Sequence, residues 1–475
     1  MTLVDRFKDE GYLVSPGIAG SFKGDVDGFI SFVKHHQPGI NVIDKGVLDA
    51  FNSFLKGGFS SNVRVLCNYE LDNVSRDLST WLGFYNKRYD LLSSSLSKRG
   101  ELKSVVSINR VDRLINRNEF SLVGLVSDLR ETNSGNFIIE LEDPSGTITL
   151  LVSKSSPAFG LVRELVPDEV IGVNVRKNGR WNFVDTIIFP EVPVSDNKSC
   201  DDDSTAVFIS DTHIGSKDFL PDEFQRFIDW LNGEWGSKAE KQLASKVKYL
   251  FFAGDLVDGV GIYPGQEDEL VIKDVNKQYE AVAGYLKQVP EHIKVILSPG
   301  NHDACRLSLP QPPLSNEFTK PLSLPNVTFV SNPAVVNINS GPGFPGYDVL
   351  VYHGNSFDYY LSNVPRLREA GYDRPELIME FLLRKRHLSP SHSASLIAPS
   401  INDDFLLINK VPDVFISGHV HHSGYGVYKG VSLLNCSCFQ APTDFMKRLG
   451  MHPKPGKIPV MSLKNKKVKI IDFES

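Results

Sequence analysis

Residues 247–259 read VKYLFFAGDLVDG, an apolar run that ends in a glycine and two acidic residues, Asp255 and Asp258. A short, continuous apolar run predicts a β-strand that is buried on both faces, as in a parallel sheet. The same arrangement recurs in four other stretches: AVFISDTHIG (206–215), IKVILSPGNHD (293–303), YDVLVYHGNS (347–356) and PDVFISGHVHH (412–422). The intervening segments DEFQRFIDWLNGEW and VNKQYEAVAGYLKQV have helical spacing, so an α/β fold is predicted.

Potential metal ligands follow each of these strands. In open α/β sheets, ligands bind beyond the carboxyl ends of the strands, so we expect these side chains to meet at one edge. The set comprises Asp211, His213, Asp255, Asn301, His353, His419 and His421. Carboxylate, imidazole and carboxamide groups without a thiolate suit Mn²⁺, Fe²⁺, Zn²⁺ or Mg²⁺. The set is too large for one ion and matches a two-ion phosphoester site.

Three glycines precede the ligands. Gly254, Gly300 and Gly418 stand where each strand must turn sharply and where the backbone must approach the ions.

Five motifs occur together in one order: Asp211-x-His213, Gly254-Asp255-x-x-Asp258, Gly300-Asn301-His302-Asp303, His353, and Gly418-His419-x-His421. This series, over roughly residues 205–440, resembles the signature of the calcineurin-like metallophosphoesterases. The resemblance implies a sandwich fold and two bound divalent ions, with Mn²⁺ expected and Mg²⁺, Fe²⁺ or Zn²⁺ as alternatives. A hydroxide activated by the ions would then attack the phosphorus atom.

The resemblance also implies a role for each residue. Asp211, His213, Asp255 and His421 would bind the first ion, and Asp255 would bridge to a second ion bound by Asn301, His353 and His419. His302 would stabilise charge or protonate the leaving oxygen, and Asp303 would hold the His302 ring. Asp258 is either an acid that supports the ligands or a residue that starts a helix, and the second reading is favoured. His422 is expected to be a loop histidine and not a ligand.

The remaining sequence predicts further domains. Residues 1–100, with VIDKGVLDAFNSFLKGG and ELDNVSRDLSTWLGFYNKRYDLLSSSLSKRG, are predicted to form a mostly helical accessory or docking module. Residues 101–191 contain three strand-like stretches, a helix candidate and two more strands, the order of an OB-fold β-barrel. Residues 192–204 are predicted to be a solvated acidic linker, and residues 205–475 the metallophosphoesterase domain.

A barrel placed before such a core resembles the small subunits of archaeal D-family DNA polymerases and, more distantly, the B-subunits of eukaryotic replicative polymerases. The stretches GFYNKRYDLLSSSLSKRGEL, MEFLLRKRHLSPSH and HPKPGKIPVMSL extend the likeness. It implies a proofreading 3′→5′ exonuclease that acts on DNA 3′ ends beside a separate large catalytic subunit. Two alternatives remain open. One is a non-catalytic scaffold that links the large subunit to a sliding clamp, although VKIIDFES lacks the usual glutamine and aromatic pair. The other is a stand-alone metallophosphoesterase.

Composition restricts how the chain could bind DNA and where it acts. A net charge of −6 predicts no globally basic surface, so DNA contact would depend on local groups such as Arg306, Arg384 and Arg386. The alternative for Arg306 is a salt bridge within its loop. The alternative for Arg384 and Arg386 is the solvated end of a helix. Five cysteines without a CxxC pair and an N-terminus without a secretory leader predict a cytoplasmic protein. No apolar run reaches the ~20 residues that span a bilayer, so no membrane contact is expected.

Overall fold

A computed structural model describes residues 3–15, 61–71 and 76–474, apart from 115–118, 196–197, 342–343, 401–402 and 449, with short pieces between 18 and 51. The first part contains the helix Leu3–Asp9 and the parallel strands β1 (Leu13–Val14) and β2 (Val42–Ile43). Their small core is aromatic, with the ring of Phe29 5.1 Å from that of Phe7 and 4.5 Å from that of Phe51. Part of the helix predicted in VIDKGVLDAFNSFLKGG lies outside the described residues.

A strand, β3 (Val63–Asn68), precedes the long predicted helix, which spans Leu78–Leu96. Asp77 caps this helix because its side chain accepts a hydrogen bond from the backbone N–H of Thr80 at 3.1 Å. A 3₁₀ helix, Ile108–Arg113, leads to the next domain.

A closed five-stranded barrel follows, in the order β4-β5-β6-β8-β7. Its strands are β4 (Glu119–Glu131), β5 (Phe137–Asp143), β6 (Gly146–Val152), β7 (Val170–Asn178) and β8 (Trp181–Ile188). The helix Phe159–Val162 separates β6 from β7, so the predicted order of three strands, a helix and two strands is confirmed. The OB-fold assignment itself stays a prediction.

Two six-stranded sheets form the rest of the core. The remaining strands are, in chain order, β9 (Thr205–Ile209), β10 (Val247–Ala253), β11 (Lys294–Ser298), β12 (Val327–Phe329), β13 (Ala334–Ile338), β14 (Tyr347–Val351), β15 (Val414–Ser417), β16 (Ser423–Tyr428), β17 (Val431–Cys436), β18 (Lys457–Ser462) and β19 (Val468–Asp472). One sheet has the order β12-β11-β10-β9-β18-β19 and the other the order β16-β17-β15-β14-β13-β3.

Helices cover the outer faces of both sheets. On the first sheet lie Pro221–Leu231, Lys238–Ala244 and Val275–Leu286, and on the second lie Phe357–Asn363, Pro365–Ala370 and Pro375–Lys385. Short turns of helix occur at Gln266–Glu269, Asn316–Thr319, Lys320–Leu322 and Asp444–Arg448. None of the described helices has the length and apolar character needed to cross a membrane.

The alternation of side chains along the strands creates two apolar layers for the first sheet. Leu250 and Phe252 of β10 face its helices, whereas Tyr249 and Phe251 face the second sheet. The result is a helix–sheet–sheet–helix sandwich, which explains why the runs are apolar at every position.

The five predicted ligand-bearing strands are confirmed as β9, β10, β11, β14 and β15. The expectation of one shared sheet edge is wrong, because β9, β10 and β11 belong to the first sheet and β14 and β15 to the second. The ligands therefore converge from two sheets that are packed face to face.

Residues 1–100, predicted to be mostly helical, also contain a strand that takes part in the second sheet. β3 completes the edge of the second sheet by pairing antiparallel with β13. Its partner lies more than two hundred residues away, as in the hydrogen bond from Arg64 to the Asn337 side chain at 3.0 Å, so no local pattern indicates the pairing.

The acidic linker is held against the core and is not solvated throughout. Asp202 forms an ion pair with Lys248 at 2.7 Å and its side chain is 10% exposed. Lys198 contacts Asp413 at 2.7 Å, and Val192 is buried. These contacts fix the path between the barrel and the sandwich. All five cysteines are free thiols, and Cys436 and Cys438 are buried.

Candidate metal centre

The seven predicted ligands lie together where the strands of the two sheets end. Five of them are buried: Asp211, His213, Asp255, His353 and His421. Asn301 and His419 are partly exposed, as is His302 beside them. The site therefore has a closed floor and opens on the side of these three residues.

One group of donor atoms forms around Asp211, His213 and His421, whose ligand atoms all lie within 4.8 Å of one another. The Nε2 atoms of the two histidines are 3.2 Å apart. His421 Nε2 is 3.3 Å from Asp211 Oδ1, and Asp255 Oδ2 is 3.7 Å from His213 Nε2.

A second group forms on the other side of Asp255. His353 Nε2 lies 3.2 Å from Asp255 Oδ2 and 3.0 Å from Asn301 Oδ1. Asn301 Oδ1 is in turn 3.1 Å from His419 Nδ1. Asp255 thus lies next to both groups. This is the position that the resemblance predicts for a bridging carboxylate.

The hydrogen bonds of the histidines direct lone pairs into the site. His213 Nδ1 donates to Asp258 Oδ1 at 3.0 Å, and His353 Nδ1 donates to the carbonyl oxygen of Ala253 at 2.7 Å. Because carboxylate and carbonyl oxygens only accept, each ring carries its proton on Nδ1 in the neutral form and presents Nε2 as a donor atom for a cation.

Other observations agree with bound cations. The Oδ1 atom of Asp211 is buried and has no hydrogen-bond partner, an arrangement that is costly for a carboxylate unless a cation satisfies it. Burial lowers the pKa of His353, but Asp255 and Asp211 outweigh it and raise that pKa to about 10. A cation would therefore displace a proton, so cation affinity should increase with pH. The residues fit a pair of divalent cations.

The backbone at the ligands is strained. Five non-glycine residues adopt positive φ angles between 47° and 71°: Asp211, His213, Asp255, His419 and His421. Each such conformation costs on the order of 1 kcal/mol or more and is characteristic of functional sites. Here it turns the chain sharply at the strand end, so that residues two apart both face the site.

The three glycines allow the backbone to approach the ligands, as predicted. Gly254 has φ +94°, and a Cβ atom there would lie 2.5 Å from His353 Nδ1. A Cβ atom on Gly300 would collide with Asp255 Oδ1, and one on Gly418 with Asp211 Oδ2.

His302 stands at the open side of the site. Its Nδ1 donates to the backbone carbonyl of Asp258 at 2.9 Å, which leaves Nε2 available. Burial lowers the pKa of His302 below 6.5 despite the opposing charge of Asp255.

Asp303 does not hold the His302 ring, and this prediction is wrong. Its carboxylate instead accepts from the backbone N–H of Gly300 at 2.9 Å, the N–H of Leu256 at 3.3 Å and the hydroxyl of Tyr279 at 3.1 Å. Burial and the nearby charge of Asp255 raise the pKa of Asp303 to about 7. Asp303 thus joins the two loops that carry the ligands.

Asp258 supports a ligand and does not start a helix, so the favoured reading is wrong. Besides accepting from His213, its carboxylate accepts from Gln266 Nε2 at 2.9 Å and from Gln440 Nε2 at 3.3 Å. These contacts fix the His213 ring.

We expect Asp258→Asn to reduce Mn²⁺ affinity about ten- to a hundred-fold, because the amide loses the charge that orients and polarises His213. Isothermal titration of the metal-free protein with Mn²⁺ measures this effect. Asp268→Asn is the matched control, because Asp268 is exposed in the helical turn Gln266–Glu269 that follows Asp258 in the chain. Unchanged affinity in Asp258→Asn would contradict the assigned role.

His422 is expected to be a loop histidine, and this stays a prediction, because the groups of potential ligands among the described residues contain neither His422 nor His419. The ring is buried, and its Nε2 is 3.7 Å from Asp373 Oδ1.

The arginines predicted to contact DNA are engaged within the protein. Arg306 donates to the carbonyl oxygen of Pro310 at 3.0 Å and lies 4.7 Å from the centre of the Tyr69 ring. Arg386 donates to the carbonyl oxygen of Ile408 at 2.9 Å.

Arg384 pairs with Glu164 of the barrel at 2.9 Å, and its side chain is 14% exposed. The structure thus gives all three side chains a structural role that local sequence does not reveal, and the DNA contacts predicted for them are not supported.

Sequence reasoning missed one carboxylate beside the site. Asp358 Oδ2 is 2.9 Å from His419 Nε2. Asp358 follows His353 at the start of a helix, and no motif singles it out.

Comparison with known proteins relates the chain to subunits of DNA polymerases. Residues 206–426 match the family model that describes the B-subunit of DNA polymerases alpha and epsilon. The chain is 41% identical over 391 residues to a DNA polymerase II small subunit of Methanothermobacter thermautotrophicus, covering 82% of this chain and 78% of that protein. It is also 41% identical over 384 residues to the corresponding subunit of Archaeoglobus fulgidus, with coverage of 81% and 75%.

Among solved structures, one described as a novel archaeal phosphodiesterase matches 56% of this chain and 98% of its own, at 14% identity and a TM-score of 0.27. That score does not establish a shared fold. Identity of 41% over about four fifths of the chain does establish kinship: the chain belongs to the family of archaeal DNA polymerase II small subunits.

Proposed function

We propose that this chain is a metal-dependent 3′→5′ DNA exonuclease that proofreads for a replicative polymerase. One observation carries the proposal: the seven side chains expected of a two-ion phosphoester site converge in a member of a polymerase-subunit family. A purely structural subunit gains nothing from five strained ligand residues and a buried carboxylate oxygen that lacks a hydrogen bond. Their retention supports catalysis.

Two divalent cations, with Mn²⁺ expected, would polarise the scissile phosphate and lower the pKa of a water molecule. Asp211, His213, Asp255 and His421 would hold one cation, and Asp255, Asn301, His353 and His419 the other. In its protonated form, His302, whose Nδ1 donates to the Asp258 carbonyl, would use its Nε2–H to stabilise phosphate charge or to protonate the leaving 3′ oxygen. Asp303 would keep the two ligand loops at a fixed separation.

The proposed substrate is the 3′ end of DNA, and the proposed partner is the larger catalytic subunit of the polymerase. The relatives are named small subunits of DNA polymerase II, which supports a heteromeric assembly. The barrel, as an OB-fold domain, would contact either single-stranded DNA or that partner.

A non-catalytic scaffold is the second candidate. This candidate is favoured by the arginines that were predicted to contact DNA. The side chains of Arg306, Arg384 and Arg386 form contacts within the protein instead. Under this alternative the chain would bind its partner without cleaving DNA.

End-labelled DNA tests the proposal. The purified chain, alone and with its large subunit, is incubated with Mn²⁺ and primers labelled at the 5′ or the 3′ end. Stepwise shortening of the 5′-labelled primer and release of a mononucleotide from the 3′-labelled primer are expected. Cleavage restricted to a chromogenic phosphomonoester would instead indicate a stand-alone phosphatase.

A further inference from the structure

In the second group of ligands, His419 contacts a carboxylate that is not itself a predicted ligand. His419 Nδ1 faces Asn301 Oδ1 at 3.1 Å, while its Nε2 contacts Asp358 Oδ2 at 2.9 Å. The other oxygen of Asp358 accepts from the hydroxyl of Tyr372 at 2.9 Å. A carboxylate only accepts, so the proton of a neutral His419 lies on Nε2 and its lone pair on Nδ1 points into the site.

His419 needs this support more than the other histidines do. The rings of His213 and His353 are buried and are held by partners inside the protein. The His419 side chain is 16% exposed at the open side of the site and packs edge to face against the His353 ring, with 5.3 Å between the ring centroids. The contact with Asp358 adds a hydrogen bond that fixes which ring nitrogen faces the site.

Asp358 is itself held in place by its helix. The helix Phe357–Asn363 begins soon after His353 at the end of β14, and its residues Phe357 and Tyr360 are fully buried. Tyr372 follows Gly371, whose positive φ of 67° turns the chain at the end of the helix Pro365–Ala370. Two separate elements thus meet at one carboxylate.

We propose that Asp358 and Tyr372 are positioning residues that fix the tautomer and ring orientation of His419 and thereby control the affinity for one of the two cations. The inference rests on the proposed two-cation site and deepens it. For the ion beside Asp211 and His421, the supporting carboxylate is the buried Asp258, which holds the His213 ring. For the ion beside Asn301, the supporting carboxylate is Asp358, which holds the His419 ring and whose side chain is 55% exposed. The two positions therefore differ in affinity, and the position at His419 is the weaker.

The test is a titration of the metal-free, full-length chain with Mn²⁺, followed by calorimetry and by electron paramagnetic resonance. Wild type is expected to bind two ions and to develop the signal of a coupled pair. Asp358→Asn is expected to weaken one ion by about ten- to a hundred-fold and to leave the other unchanged. Tyr372→Phe, which removes only a hydroxyl group, is expected to weaken the same ion to a smaller extent.

Glu369→Gln is the matched control, because Glu369 is an exposed acid on the neighbouring helix Pro365–Ala370, and it is expected to bind both ions as wild type does. Thermal melting verifies that each variant is folded. Equal binding of both ions by wild type, Asp358→Asn and Tyr372→Phe would overturn the inference, as would a wild type that binds fewer than two ions. Two-ion binding with the expected loss in Asp358→Asn supports the inference even if the chain cleaves no DNA, an outcome that would reject only the proposed exonuclease.

Discussion

Replacing Asp255 by asparagine is expected to reduce DNA cleavage by about 10³-fold, the order found when one preorganised charge contact is lost. Asp255 Oδ2 lies 3.2 Å from His353 Nε2 and 3.7 Å from His213 Nε2, so both groups of ligands depend on its charge. The variant should also bind fewer Mn²⁺ ions. Cleavage of a 5′-labelled primer and the metal content of the purified protein measure the two effects.

The Asp255→Asn variant should remain folded, because asparagine has nearly the same shape and its carbonyl oxygen can still accept from the backbone N–H of His302, a contact of 2.8 Å in the structure. Asp222→Asn is the control for charge, since Asp222 is exposed in the first turn of the helix Pro221–Leu231. A folded Asp255→Asn protein with wild-type cleavage would reject the assignment of Asp255 as the shared ligand.

Replacing Arg88 by methionine is expected to lower the free energy of unfolding by about 3–5 kcal/mol, the cost of removing one partner of a buried ion pair. Arg88 is fully buried on the helix Leu78–Leu96 and its Nε contacts Asp404 Oδ2 at 2.9 Å. Its Nη1 also donates to the carbonyl oxygens of Asp168 and Pro390, at 3.0 and 2.6 Å. The side chain therefore ties the helix to both the barrel and the sandwich.

Thermal denaturation and limited proteolysis measure the Arg88→Met effect. Arg130→Met is the matched control, because Arg130 is 60% exposed and lies 3.9 Å from Asp128, so a change within about 0.5 kcal/mol is expected. Arg88→Met alone leaves the buried Asp404 carboxylate without its arginine. A double variant that also replaces Asp404 by leucine removes this charge and should recover part of the stability. Wild-type stability of Arg88→Met would show that this network does not hold the domains together.

Local sequence was sufficient to predict the strands and the residues that would bear the candidate ligands. Each buried strand is a continuous apolar run, and the residues that follow it, such as Asp255 and His353, must lie at its carboxyl end. The types of donor atom then limit which metal ions such a set can bind. These features depend only on neighbours in the chain. For this reason, the convergence of the polar side chains could be predicted.

Long-range contacts could not be predicted in this way. The pairing of β3 with β13, the contact between Asp358 and His419, and the salt bridge from Arg384 to Glu164 all join residues far apart in sequence. The roles of Asp258 and Asp303 were misjudged for the same reason, because their hydrogen-bond partners come from separate loops. Tertiary packing decides which polar group serves a ligand and which one braces the fold.

Digestion of a 3′-mismatched primer, with Mn²⁺ and the large subunit present, tests the central claim most directly. Wild type is expected to remove 3′ nucleotides stepwise. His302→Ala is expected to be slower by about 10²- to 10⁴-fold while binding the same number of ions, because His302 is not one of the expected ligands. A wild-type assembly that binds two Mn²⁺ ions and leaves the primer intact would contradict the claim.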